Sequence, residues 1–137
     1  MTSGGLFETD FYNRTCDEAL DLTVEARDYV ADGHSVDREC AAFGERGYFD
    51  CEALRMTTRL SQVMAWLMVQ RAVHKGKISI GDAREVVHQL GGQEVCFDND
   101  LEIIELLPSC FRSLMARSLK LYQRIARFNE MVARNFD

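Results

Sequence analysis

One stretch limits the fold more than any other. "RMTTRLSQVMAWLMVQRAVHKGKIS", Arg55 to Ser79, carries polar residues toward its ends and none from Val63 to Val69. Its apolar residues recur at helical spacing, and at about 100° per residue they point in almost every direction. The one polar strip of any width holds Arg55, Arg59, Gln62 and Gln70, with Trp66 and Val73 projecting into it. A helix that is apolar nearly all round is either buried or an interface. The spacing predicts this helix from about Asp50, placed to cap it, to Lys75, with Gly76 as its stop. Its unbroken apolar run of seven residues is far short of the roughly 20 that span a bilayer.

The flanking segments are helical too. A first helix is predicted from about Thr15 to Asp32. Asp17, Glu18, Asp21, Glu25, Asp28 and Asp32 fall in one arc of it, and Leu20, Leu22, Val24, Ala26, Tyr29 and Val30 fill much of the rest. Like charges four residues apart, such as Asp17–Asp21 and Asp21–Glu25, cost a few tenths of a kcal/mol each. This acidic face is either a solvated surface or a face kept for a partner. Residues 1–14 read as a flexible N-terminal segment. Residues 33–49 read as a loop punctuated by Gly33, Gly44 and Gly47, with a short helical piece at Val36–Phe43.

After Gly76 a short helix is predicted at Ile80–Leu90, capped by Ser79 and stopped by Gly91–Gly92. A loop follows, in which Asp98 or Asn99 caps a short segment at Leu101–Leu107. Pro108 then opens a last helix reaching about Asn135. The apolar arc of that helix covers near half the cylinder, from Phe111 and Leu114 to Val132 and Phe136. Arg117, Lys120, Arg124 and Arg127 line the other side. No period-2 strand pattern occurs. The fold class is therefore all-α: three long helices in an antiparallel bundle, one or two short helices between the second and third, and a single domain over 1–137. Three helices do not cover both the second helix and the wide face of the last, so a homodimer built through helix faces is expected.

Charge is unevenly placed. Net charge is −6 overall, −9 over residues 1–52, −1 over 53–107 and +4 over 108–137. An acidic chain is a poor nucleic-acid ligand, and a basic end on an acidic body suits protein partners. The start, "MTSGGLFETDFYNRT", lacks a basic region and an apolar core, so no secretory signal is read there and a cytoplasmic location is expected. The five cysteines lack metal-type spacing and read as thiols. The nearest metal grouping, His34, Cys40 and Cys51, has no fourth ligand.

No catalytic constellation is legible. His34, His74 and His88 share no ligand spacing, and no nucleophile elbow or phosphate-binding glycine pattern occurs, so neither a catalytic residue nor a cofactor is assigned. One alternative is a helix-turn-helix over residues 75–91 with Lys75 and Lys77 at its head, but Asp82 and Glu85 beside a lone Arg84 suit DNA badly. Trp66 with Arg55, Arg59, Gln62 and Gln70 has the composition of a binding hot spot; the alternative is that Trp66 packs under the short helix. Met56, Met64 and Met68 read as core filler.

"LRMTTRLSQVMAWLMVQRAVHKGKIS" resembles the signature helix of the RcdA family, regulators of CtrA degradation in alphaproteobacteria. Arg55, Thr57, Thr58, Arg59, Leu60, Gln62, Trp66, Leu67, Gln70, Arg71 and Gly76 are among the residues that stand in matching places. "LLPSCFRSLMARSLKLYQRIARF" is similar to the family's last helix through Leu107, Pro108, Ser118, Leu121, Tyr122 and Arg124. Met56, Ser61, Ala65 and Lys77 depart from the pattern. The resemblance implies a non-enzymatic adaptor: a helical homodimer helping to deliver cell-cycle regulators such as CtrA to the ClpXP protease, at the cell pole. It implies action alongside a response-regulator-like adaptor and a cyclic-di-GMP effector. The expected docking residues are then Arg55, Arg59, Gln62, Trp66 and Gln70, and the basic stripe Arg117, Lys120, Arg124 and Arg127.

Overall fold

A computed structural model describes residues 9–83, 85 and 89–134. Helix α1 (Thr9–Asp28), one π-helical turn (Tyr29–Gly33) and α2 (His34–Cys40) follow without intervening coil. A 3-10 turn (Phe43–Glu45) leads into α3 (Arg46–His74). Three single turns follow, α4 (Ile80–Ala83), α5 (Gln93–Cys96) and α6 (Leu101–Ile104), and then α7 (Ser109–Arg134). Among the described residues no strand occurs.

The all-α reading with three long helices holds, and several boundaries move. α1 begins by Thr9, so residues 9–14 of the expected flexible segment are helical; residues 1–8 lie outside the described residues. The expected loop at 33–49 is mostly helix. Gly33 does not stop the chain. It sits in the π-turn because a Cβ there would come within 2.8 Å of the Tyr29 ring. α3 starts at Arg46, so Asp50 lies inside it and binds Arg38 instead of capping. Asp100, rather than the expected Asp98 or Asn99, accepts the Glu102 N–H at the start of α6. Gly76 does end α3, with φ at +74° where an L side chain is strained.

α1, α3 and α7 pack pairwise around one core. Contacts fix their directions. Tyr12 of α1 donates to the Leu67 carbonyl of α3, and Glu25 and Glu18 of α1 meet Arg117 and Arg124 of α7. α1 is thus antiparallel to both partners. Along α3, however, Phe49 faces Phe111, Arg59 faces Met115 and Ser118, and Trp66 faces Asn129 of α7. α3 and α7 therefore run parallel, and in the expected antiparallel bundle it is α1 that opposes the other two long helices. The segment from Lys75 to Pro108, which we call the strap, has to return along the whole of α3. That helix of 29 residues is about 43 Å long.

The wide arc of α7 is covered within the chain: Phe111, Leu114, Met115, Leu121, Tyr122, Ile125 and Val132 are buried. Phe136 lies outside the described residues. Apolar side chains left bare include Leu54, 68% exposed, and Met68, 67% exposed, on α3, Leu20 and Val24 on α1, Phe43 in the 3-10 turn, Leu101 of α6 and Met131 of α7.

Candidate functional site

The polar strip of α3 is not an exposed edge. Arg59 is fully buried, and Trp66 and Gln70 are buried with it. Burial of a guanidinium requires its N–H groups to be spoken for. Arg59 Nε donates to the Cys96 carbonyl at 2.8 Å and Nη2 to the Asp98 carbonyl at 2.8 Å. Nη1 donates to the Met115 carbonyl and to Ser118 Oγ, both at 3.2 Å. Every hydrogen-bond acceptor of Arg59 is neutral. Burial pushes its pKa down, and the neighbouring Arg55 adds to this.

The same strip grips the strap above and below Arg59. Arg55 donates to the Val95 carbonyl and to Asp98, and pairs closely with the buried Glu52. Gln62 Oε1 accepts the Gly91 N–H at 3.0 Å, while the Tyr122 hydroxyl donates to the Gly91 carbonyl at 2.6 Å. Asn129 Oδ1 accepts both the Trp66 indole N–H and the Leu90 N–H. A Cβ on Gly91 would lie 3.0 Å from Gln62 Oε1, so a side chain there has to displace the amide that accepts the Gly91 N–H. Gly92 at φ +72° turns the chain into α5. Gln70 contributes less: its Nε2 is buried without a hydrogen-bond partner. The expected hot spot is therefore a clamp that holds the return segment against the bundle.

The two charged faces also meet inside the chain. Arg117 donates to both oxygens of Glu25, at 2.7 and 2.6 Å, and Arg124 Nη1 donates to Glu18 at 2.7 Å. The Arg117 hydrogen bond lowers the pKa of Glu25, and Glu25 raises that of Arg117. Two of the six acids of the arc, Glu18 and Glu25, thus receive the basic stripe of α7. Exposed and outside this zipper remain Lys120, Arg127, Asp17, Asp21 and Asp32, while Asp28 pairs with Arg27.

Of the histidines, His34 packs against Tyr29 and Phe111 with Nε2 3.6 Å from Asp50, His74 stacks near Tyr12, and His88 lies outside the described residues. Among the described residues no group of three His, Cys, Asp or Glu could hold a metal ion. None of their helices is long and apolar enough to cross a membrane. Ser118, Tyr122 and Asn129 had not been read as partners of the strip. A signal existed for Asn129, a lone amide beside Ile125, Phe128 and Val132 on the apolar side of α7.

Residues 5–137 match the family described as "Protein of unknown function (DUF1465)". The chain belongs to the DUF1465 family. The DUF1465 fold is also seen in a crystal structure of RcdA from Caulobacter crescentus CB15. That structure is similar to this chain with a TM-score of 0.73 and 26% identity, over 91% of this chain and 92% of the other. No curated protein matches. The resemblance drawn from α3 and α7 thus holds at the level of family and fold. The residues that carried it, Arg55, Arg59, Gln62, Trp66, Ser118 and Tyr122, are in this DUF1465 chain the ones that fasten the strap.

Proposed function

We propose that this protein is a non-enzymatic adaptor of the RcdA kind. It helps bring cell-cycle regulators such as CtrA to the ClpXP protease in the cytoplasm, at the cell pole, as a homodimer. A response-regulator-like adaptor and a cyclic-di-GMP effector work with it. The observation that carries this reading is the likeness to RcdA over nine-tenths of both chains, together with the matching residues of α3 and α7. The polar side chains of the signature helix are spent on holding the fold together, which suits a scaffold. Docking then falls to the exposed charges at the rim of the α1–α7 zipper: Lys120 and Arg127 on one side, Asp17, Asp21 and Asp32 on the other. Arg55, Arg59, Gln62, Trp66 and Gln70 act from beneath the strap as residues that position the fold.

Reconstituted proteolysis tests the reading. Purified ClpXP, CtrA, the response-regulator-like adaptor and the cyclic-di-GMP effector are combined, and CtrA loss is followed with and without this protein. Several-fold faster loss is expected on its addition, with Lys120→Glu/Arg127→Glu slowing it while the protein stays folded. An unchanged CtrA half-life overturns the adaptor reading. Of the helix expected at Ile80–Leu90 for the helix-turn-helix alternative, α4 covers Ile80–Ala83, and residues 84 and 86–88 lie outside the described residues.

A further inference from the structure

Between Met56 and Gln70 the only charged residue of α3 is Arg59, and it is buried. α3 therefore shows solvent a face without charge over four turns. Leu54, Thr57, Ser61, Ala65 and Met68 are exposed there at spacings of three and four residues, the repeat of a helix-packing seam. Thr57 turns its hydroxyl back onto the Ala53 carbonyl, which leaves its methyl outward. Beside this stripe, α1 and α3 enclose an open, largely apolar groove of about 540 Å³, whose lining includes Ala26, Val30, Leu60, Ser61 and Met64, with Arg27, paired to Asp28, as its one charged residue. A monomer seldom leaves such a surface to water.

We infer that this stripe is the seam of the homodimer, with α3 of one copy packed antiparallel on α3 of the other about a two-fold axis at Ser61. This rests on the two-copy reading above and assigns its interface. A second copy fits better than an unrelated helix because the stripe is complementary to itself. Leu54 and Met68 lie seven residues either side of Ser61, and Thr57 and Ala65 lie four either side. An antiparallel, isologous pairing sets each large side chain against the other large one and each small against small. The small pair at the centre lets the backbones approach, and the large pair at each end can reach into the neighbouring groove. Charge agrees as well. Arg71 and Lys75, at the C-terminal end of one α3, come toward the N-terminal half of the other, where Asp32 follows Val30 and Ala31 beside Thr57.

Two variants and the wild type test this by light scattering over a dilution series and by cross-linking. Wild type is expected at twice the 15.7 kDa chain mass. Ala65→Glu, on an exposed position, should retain its helical circular dichroism and weaken association by at least about tenfold, because it buries an unpaired charge at the seam. In a chain with Cys40, Cys51 and Cys110 replaced by Ser, Ser61→Cys should form a disulfide dimer under copper–phenanthroline, whereas Lys120→Cys should not. A monomeric wild type overturns both the two-copy reading and the seam. A dimeric wild type with Ala65→Glu still fully associated, or with no Ser61→Cys cross-link, overturns the seam alone and leaves the dimer standing. Should Ala65→Glu unfold, the cross-link decides.

Discussion

Arg59 shows what a single buried cation can do when no carboxylate bonds to it. Its donors reach three backbone carbonyls and one hydroxyl, on two separate segments, the strap and α7. Removing it strands the Cys96 carbonyl, for which the cost is about 1–3 kcal/mol, and empties the space its buried guanidinium fills between the strap and α7. Arg59→Met should therefore lower unfolding stability by at least about 3 kcal/mol, read in chemical denaturation. Arg59→Lys should recover little, since one ammonium cannot reach acceptors spread over both the strap and α7. Asn129 is the second such residue. Asn129→Leu strands the Trp66 indole N–H and the Leu90 N–H together, and a loss of about 2 kcal/mol is expected. Trp66 fluorescence should report the change directly. If Asn129→Leu leaves both stability and emission unmoved, the two bonds do not hold the strap.

At the scale of elements, the α1–α7 zipper is a contact between partly exposed groups, so each pair contributes less than about 1 kcal/mol. Arg117 holds the pKa of Glu25 below its ordinary 4.5. A depressed carboxylate adds stability that is fully present above that ordinary value and is lost as pH falls through the lower folded value. Glu25→Gln should therefore be slightly less stable than wild type at neutral pH, and the gap should close as pH falls below Glu25's ordinary pKa, in urea titrations over a pH series. Charge reversal by Arg117→Glu should cost more than neutralisation, and the swap Glu25→Arg/Arg117→Glu should restore most of the loss. Element type was legible in the apolar spacing, and so was the end of α3 at Gly76. Helix direction was not. Nothing in the spacing of Phe49, Arg59 or Trp66 says whether Phe111 or Asn129 meets them first. The clamp was hidden for a related reason: its acceptors are carbonyls of Gly91, Val95, Cys96 and Asp98, and a carbonyl has no residue type. A polar strip on a greasy helix looks the same whether a foreign partner or the chain's own return segment covers it.

Over the whole molecule, burial sorts the thiols. Cys96 is buried against α3 and its pKa is raised by burial, while Cys40, Cys51 and Cys110 are exposed. A thiol reagent should label those three in the native protein at once, and Cys96 only as the strap opens or the chain unfolds. In Arg59→Met the labelling of Cys96 should accelerate several-fold more than that of Cys51; equal acceleration would mean the clamp opens no sooner than the rest. The parallel run of α3 and α7 makes the strap the longest connection of the bundle, and the polar side chains of α3 hold it largely by main-chain atoms of Gly91, Val95, Cys96 and Asp98. A helix that recognises its neighbour by carbonyls and amides asks little of that neighbour's side chains. Drift in the strap should accordingly be cheap: in a saturation screen for folding, substitutions at Gln93, Glu94 and Val95 should pass freely, whereas those at Arg59 and Gly91 should fail.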